Sequence, residues 1–508
     1  MDWNYTILPT LTTYNVILYT SLLAMTWWFY RNMVQPFLSP LRKIPGKPYR
    51  PIVGNMLEAT RAEAMSNAVR WMTELNSLTI RFYYLNGQER VLTADPQAFR
   101  HVLVTNSKNF ERLKFRSGLQ RLIGKAILFV NGEEHHNMRK LWNPAFGPKV
   151  LMEMIPVFEL NARKVSSIWC VLLSESKDRT KVIQVQDFLT RITLDSICDI
   201  GLDYHPDAIS QPEAANVTIF SRLFLEVAKV QLISLIPFYS NLPTEENIRQ
   251  KNDVQYVTDT VKGTIEAKRS KFQNQSNKKL NDMKASKDLL SILVMARDEE
   301  GNSMNEDLIQ QNVLTLLVAG YETTSVGLTW VMLQLAQYPH IQKNVREELK
   351  LLIPDPATPL TFEVLDKLHY LTCVIKETMR LFPPVSNITR CAINDDTISG
   401  YRIPAGTVIN LHIGALHRMP QNWEDPETFH PERFMEDFGA YKFLPFIAGP
   451  HTCIGNKFAM LEMKSVLAVL VRDFEFSMAP GYKYRRVQGV TVKPNPPLLL
   501  QVRKICDS

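Results

Sequence analysis

Cysteine is scarce and scattered in this chain. Its six copies lie at Cys170, Cys198, Cys373, Cys391, Cys453 and Cys506, and none forms a Cys-X-X-Cys pair. That spacing offers neither a zinc knuckle nor a disulfide framework, and it points to a reducing compartment for the folded body. There is no stripe of Lys and Arg interleaved with aromatics, so nucleic acid is not an expected partner. No internal repeat is present, which excludes solenoid and propeller arrays. Neither sign of charge dominates: 58 Lys and Arg face 51 Asp and Glu, a formal charge of +7 over 508 residues. So mild a basic excess suits anionic lipid headgroups or an acidic protein partner. With 45% hydrophobic and 21% charged residues, the rest of the composition is that of an ordinary globular protein.

Charge is missing altogether from Trp3 to Tyr30. The part from Ile7 to Tyr30 is long enough to cross a hydrocarbon core, which takes about 20 helical residues. Trp27, Trp28, Phe29 and Tyr30 cluster at its far end, as at a membrane–water interface. Asp2 precedes it, whereas Arg31, Arg42, Lys43, Lys47 and Arg50 follow, so the positive-inside rule keeps the remainder cytosolic. No basic segment precedes the apolar run, which argues against a cleaved signal peptide. Asn15 and several Thr make the span only modestly hydrophobic. Asn4-Tyr5-Thr6 is a glycosylation sequon very close to the expected bilayer.

Pro36, Pro40, Pro45, Pro48 and Pro51, with Gly46 and Gly54, read as a stiff linker. The expected layout is an anchor over residues 1–31, a linker over 32–54 and a catalytic domain over 55–508. Thr79–Leu85 and Arg90–Thr93 read as a hairpin through the two-residue turn Asn86-Gly87. Asp95-Pro96 reads as the N-cap and first residue of a helix. From there to about Phe382 the apolar spacing is helical. The polar stretch Arg269–Lys287 reads as an exposed loop, and short strands are expected at Thr397–Ile403 and Thr407–His412. Length alone suggests about three domains. The pattern suggests instead a mainly α, helix-rich body with small β-sheets, preceded by one transmembrane helix.

Four segments carry chemistry. Phe446-Ile447-Ala448-Gly449-Pro450-His451-Thr452-Cys453-Ile454-Gly455 sets one cysteine between glycines, just before the apolar-periodic stretch Lys457–Val471. A thiol so placed meets the free N–H groups and positive end of a helix, which favour thiolate. Thiolate is one of the few axial ligands that haem iron takes from proteins; taken alone, the same thiol reads as a structural Cys beside a turn. Ala319-Gly320-Tyr321-Glu322-Thr323-Thr324 lies in a long apolar helix expected from about Asn305 to Gln337. Ala319 and Thr323 share a face there, and Gly320, costly in a helix by roughly 1 kcal/mol, suggests that something flat packs close by. A Thr bonding back to a carbonyl one turn earlier is the plain structural alternative. Glu377-Thr378-Met379-Arg380 pairs an acid and a base three apart in the apolar helix Leu365–Phe382, where an unpaired charge is costly. Arg433, in Pro431-Glu432-Arg433-Phe434, is an available further partner. Finally, His135 and Arg139, four apart in Gly132–Lys140, can aim N–H donors at one anion, or else form an exposed basic turn.

In this order these segments closely resemble the cytochrome P-450 family of haem-thiolate monooxygenases, over roughly Ile44 to Val502. The Asp425-Pro426 to Phe434 stretch and the turn Gly400-Tyr401-Arg402-Ile403-Pro404-Ala405-Gly406-Thr407 share in the likeness. Anchor and linker resemble those of the microsomal, membrane-anchored eukaryotic members. The resemblance implies haem b with Cys453 as the axial thiolate, Phe446 packed near the sulfur, and Gly455 letting the next helix approach the haem. It implies that Glu377, Arg380 and Arg433 form a structural network, that Arg139, Arg390 and His451, with His135 as a further N–H donor, meet the haem propionates, and that Glu322 and Thr323 deliver protons to dioxygen. It implies an NADPH-dependent flavoprotein reductase at a basic face carrying Arg139, Lys140, Lys442 and Lys457, with cytochrome b5 as an additional candidate donor. The implied location is the endoplasmic reticulum membrane, single-pass, with the catalytic domain cytosolic.

Two residues depart from the family pattern: many members carry Trp at His135 and Arg at His451. Both histidines keep an N–H donor, but an imidazole, unlike a guanidinium, does not carry a fixed charge. The implied reaction inserts one oxygen atom from O2 into a hydrophobic small molecule: steroid, terpenoid, fatty acid or xenobiotic. Phe115, Leu122, Leu316, Ala319, Val385 and Val490 are the pocket-lining candidates by family correspondence. The apolar stretch Val230–Phe238 is a second candidate for membrane contact. Oxygen-independent haem-thiolate isomerases or dehydratases, and non-catalytic haem proteins, are the rival readings. The first typically dispense with the acid–alcohol pair, and the second need neither Thr323 nor a reductase-facing patch.

Overall fold

Almost continuously buried side chains in Thr79–Tyr83 and Glu89–Thr93 start the first sheet of the protein, seen here in a computed structural model. The structure describes residues 7–113, 123–214, 216–220, 222, 242–275, 289–295 and 304–505. The sequon Asn4–Thr6, the pocket candidates Phe115 and Leu122, the stretch Val230–Phe238, residues 276–287 of the expected polar loop, and Cys506 lie outside them. The strands are β1 (Thr79–Tyr83), β2 (Glu89–Thr93), β3 (Phe110–Glu111), β4 (Thr180–Gln184), β5 (Ile388–Ala392), β6 (Asp396–Ile398), β7 (Tyr401–Ile403), β8 (Val408–Leu411), β9 (Phe474–Met478), β10 (Arg485–Gln488), β11 (Val492–Asn495) and β12 (Leu499–Lys504). Helices of eleven residues or more are α1 (Ile7–Phe29), α2 (Gly132–Trp142), α3 (Pro148–Ser174), α4 (Val185–Leu202), α5 (Glu245–Gln275), α6 (Glu306–Gln337), α7 (Pro339–Leu352), α8 (His369–Leu381) and α9 (Asn456–Asp473). The chain divides into two units, one of residues 1–111 with 387–419, the other of 112–386 with 420–508.

In the first unit the strands run in the order β1-β2-β8-β5-β3. β1 and β2 are antiparallel with Tyr83 opposite Glu89, and β2 runs parallel to β8 with Arg90 opposite Val408. The expected hairpin forms, but its connection is five residues long and not two. Leu85–Gly87 makes a 3-10 turn with Asn86 in the left-handed region at φ 53°, a conformation Asn tolerates. Asp95 caps the next helix, accepting from the Gln97 N–H at 2.9 Å, with Pro96 behind it. Thr397–Ile403 is a hairpin of two strands, β6 and β7, joined where Ser399 and Gly400 take φ of 50° and 80°. The proline-rich stretch is packed onto the sheet: Leu41 and Ile44 are buried, Arg81 N–H donates to Pro45 O at 2.8 Å, and Lys47 N–H donates to Arg81 O at 3.1 Å. Prolines fit there because an edge segment need not donate from every residue. Apolar side chains of α1 from Tyr14 onward are exposed.

The second unit is built round α6. Asn305 caps it, its side chain accepting from Asp307 N–H at 2.8 Å, and Val313, Leu317, Trp330 and Leu333 are fully buried. By length and composition α6 is the helix among the described residues able to cross a membrane, yet most of it is buried inside the protein, as in a core helix. α4 lies along it, with Thr193 Oγ1 donating to Tyr321 O at 3.0 Å. α3 meets α9 through the edge-to-face pair Phe158–Phe458. β4-β12-β9 form a three-stranded sheet and β10-β11 a hairpin. Helical periodicity from Pro96 to Phe382 is therefore interrupted by β3 and β4. Residues 269–275 continue α5 and are not loop, because helical spacing persists through a polar surface that propensity alone does not mark as coil. The expected helix Leu365–Phe382 is two, Phe362–Lys367 and His369–Leu381, broken at Leu368 where ψ is 74°.

Candidate active site

The loop before α9 holds Cys453 by its backbone. Ile447 and Gly449 take φ of 52° and 73°, so the chain doubles back, and the Cys453 N–H donates to Phe446 O at 3.0 Å. Gly449–His451 forms a 3-10 turn, with Thr452 N–H and Oγ1 both donating to Gly449 O. The Cys453 sulfur is reachable by solvent although protein crowds it. That crowding pushes the thiol above its ordinary range, while the Gly455 N–H and the Arg139 guanidinium pull it back. The helix end thus acts as expected but is outweighed by burial in the protein alone.

α2 brings the N–H donors to the same loop. Glu133 and Glu134 in its first turn suit the helix dipole, and Arg139 and Lys140 suit its end. Arg139 donates to Thr452 O at 2.6 Å and to Asn143 Oδ1 at 3.0 Å. His135 is buried, and its ring lies 4.0 Å from that of His451. A Cβ added at Gly455 would meet nothing within 4 Å, so the chain leaves open space beside the cysteine loop. On α6, Ala319 is exposed and Thr323 half-buried, one turn apart in a helix otherwise largely enclosed. A soft thiol donor, a cluster of N–H donors round its loop and a cradle at glycine fit a planar iron macrocycle with acidic side chains.

Gly320 has a different cause from the one its sequence suggests. A Cβ there would lie 2.9 Å from Ile197 Cδ1, so the glycine admits α4. Thr323 Oγ1 donates to Ala319 O at 2.8 Å, which leaves its oxygen free to accept. Glu322 is held by two residues that sequence reasoning missed. Lys493 Nζ stands 2.6 Å from its Oε1, and Thr491 Oγ1 donates to that same oxygen at 2.7 Å. No spacing signal connects them, because Thr491 lies 169 positions along the chain.

The cytochrome P450 sequence family matches residues 44–502. This chain belongs to the cytochrome P450 family. Among its relatives, cytochrome P450 monooxygenase 205 of Postia placenta is 29% identical, over 92% of this chain and 93% of that one. Cytochrome P450 72A552 of Barbarea vulgaris is 28% identical, over 93% and 95%. Taurochenodeoxycholic 6 alpha-hydroxylase of Sus scrofa is 29% identical, over 82% of each chain. The protein is accordingly an oxidoreductase of the P450 monooxygenase family, whose members bind haem b through a cysteine thiolate and act with a redox partner on hydrophobic substrates.

Other expected residues are held by partners of their own. Glu377 and Arg380 on α8 are fully buried and joined twice, at 2.7 and 2.9 Å. Arg433 Nε reaches Glu377 Oε1 at 3.0 Å, and the His430 N–H reaches it at 2.9 Å. Arg380 also donates to Pro426 O at 2.7 Å and Thr428 O at 3.1 Å. Arg390 belongs to the first unit: it is buried on β5, donates to Thr389 O at 2.8 Å, and is pushed down to about 10 by burial. Lys140 and Lys457 are exposed, while Arg139 and Lys442 are half-buried. Leu316 is buried and Val490 exposed.

Proposed function

We propose that this P450 inserts one oxygen atom from O2 into a C–H bond of a hydrophobic, membrane-partitioning small molecule. Its electrons come from NADPH through a flavoprotein reductase, with cytochrome b5 as an additional donor. Cys453 is the residue that holds the haem iron. Arg139, His135 and His451 are the donors for its propionates, Phe446 and Gly455 shape the loop face, and Glu377, Arg380 and Arg433 keep the fold beneath it. When bound, the thiolate-ligated haem supplies the oxygen activation and the oxidation itself. The chain's own task is to exclude bulk water, orient the substrate and hold a proton where it is needed.

One observation carries the reading: the Ala319–Thr323 face of α6 is open while Glu322 beside it is 8% exposed and held by Lys493 and Thr491. An isomerase or a carrier has no use for an acid kept at such a face. Thr323, its proton committed to Ala319 O, accepts a hydrogen bond from water at its oxygen, and Glu322 exchanges protons with that water. Lys140 and Lys457, with Arg139 and Lys442, form the basic docking face for the reductase. α1 anchors the protein in the endoplasmic reticulum membrane with its catalytic body in the cytosol, a reading supported by its uncharged length and exposed apolar side chains.

The test is Thr323→Ala, assayed with reductase and NADPH against testosterone, lauric acid, geraniol and coumarin. Positioned proton transfer contributes about 10²–10⁴-fold. The variant is expected to bind haem and shift its spin state with substrate as the parent does. It should consume NADPH but release mostly hydrogen peroxide. A product-to-NADPH ratio equal to the parent's would refute the assignment and return weight to the isomerase reading.

A further inference from the structure

We infer that Lys493 and Thr491 are positioning residues for Glu322, dividing its carboxylate into a held oxygen, Oε1, and a working oxygen, Oε2. The inference rests on the reading of Glu322 as the acid of the proton-delivering pair. Both contacts go to Oε1: Lys493 Nζ at 2.6 Å and Thr491 Oγ1 at 2.7 Å. Oε2 takes no hydrogen bond from the described residues. A carboxylate left alone samples several rotamers about its last two bonds; two donors on one oxygen select a single one. The other oxygen is then aimed by default.

The holders are themselves fixed. Lys493 sits on β11 opposite Val487, and Val492 between the two holders is tied at both ends. Its N–H donates to Pro384 O at 2.9 Å, and its carbonyl accepts from Trp330 Nε1 at 2.8 Å. Trp330 is fully buried on α6 and stacked on Phe382 with ring centroids 4.5 Å apart. The hairpin is therefore fastened to α6 at two points, once through Trp330 and once through Glu322. Its turn carries Val490, an exposed apolar side chain next to Thr491. Lys493 is 23% exposed and Glu322 only 8%, so the lysine side chain also covers the acid from bulk water.

The experiment combines Lys493→Met, Lys493→Arg, Thr491→Val and Glu322→Gln in the full-length holoprotein. The first readout needs no turnover: thermal unfolding of Lys493→Met, Glu322→Gln and the double variant. If the pair is real, the losses are not additive, and the lysine change costs little once Glu322 is gone. Additive losses overturn the inference. The second readout is product formed per NADPH on whichever of the four probe compounds the parent oxidises, together with the solvent deuterium effect on that ratio. Lys493→Met is expected to lower the ratio about fivefold or more, less than the roughly 10²–10⁴-fold of positioned proton transfer itself because the acid remains in place, and to raise the isotope effect. Lys493→Arg should restore most of both, and Thr491→Val should fall between. Glu322→Gln separates the possibilities. If it uncouples and Lys493→Met does not, the lysine is a structural clamp and the inference is wrong while the proposed function stands. If Glu322→Gln leaves the ratio unchanged, the acid has no part in proton delivery and the inference falls with that reading, whatever the unfolding shows.

Discussion

Cys453 shows how one side chain can answer to two masters. Its loop is built by backbone hydrogen bonds that need no metal, yet its thiol in the protein alone is pushed up by burial despite the Gly455 N–H and Arg139. A bound cation reverses that balance, because ligation requires the deprotonated sulfur. Cys453→Ala should therefore fold, since the loop contacts are backbone ones, but its carbon-monoxide complex should lack the red-shifted band of thiolate-ligated haem. Retention of that band would mean another residue is the ligand. Glu462, on α9, is buried with neither oxygen in a hydrogen bond of normal geometry. Burial pushes its carboxyl well up, and nearby Ser196 offsets only part of this. Its folded value thus lies above the unfolded one, about 4.3. Such an acid is harmless below the unfolded value and costs stability as pH rises past it. Glu462→Gln removes that cost, so the melting temperature of the variant minus that of the parent should grow between pH 4.5 and pH 8. A gap independent of pH would show that Glu462 ionises freely in the folded protein.

Elements differ in how much of them could be foreseen from spacing. α6 was legible to within a residue, because Asn305 is an N-cap and apolar residues recur at helical spacing behind it as far as Ala336. The Asp95 cap and the β1-β2 pairing were legible for the same local reasons. What spacing hid is tertiary: Gly320 yields to Ile197 of another helix, Glu322 is held from a hairpin far along the chain, and the strand pair β6-β7 turns on two left-handed residues. The break at Leu368 was hidden as well, since apolar periodicity continues across it. The charged network was half legible, for Glu377 and Arg380 are a helix-spaced pair while the carbonyls of Glu424, Pro426 and Thr428 that complete it are not patterned in sequence. It joins α8 to the 424–433 segment, so its loss acts on an element contact and not on chemistry. Breaking one partner of a buried pair costs about 3–5 kcal/mol. Glu377→Gln is expected to lower soluble yield and haem content steeply, and Arg433→Ala, half-shielded at 13% exposure, to do so less. Equal haem content and melting temperature in Glu377→Gln and parent would show that the network is dispensable.

At the scale of the whole molecule, the question is where α1 ends and the folded body begins. α1 is uncharged and its side chains from Tyr14 are exposed, whereas Asn32 is fully buried and caps back to Trp28 O at 3.0 Å. Beyond it, Tyr83 Oη donates to Pro36 O at 3.3 Å, and Pro45 to Lys47 line the edge of β1. The proline-rich stretch is thus structural cover for the first sheet, although its composition reads as a spacer. Two truncations separate these roles. Removing residues through Tyr30 takes away α1 and the exposed aromatics at its end. That protein should keep its carbon-monoxide spectrum and melting temperature while losing most of its retention in alkali-washed membranes. Removing residues through Pro51 also strips Leu41 and Ile44 from the core, each worth about 1.5–3 kcal/mol when fully buried, and uncovers the β1 edge to pairing with other chains. That second protein should melt several degrees lower and aggregate on purification, even in detergent. If both truncations behaved alike and stayed soluble, residues 32–51 would be a free linker after all. If instead the shorter truncation lost its haem spectrum, α1 would be part of the folded body and not its anchor.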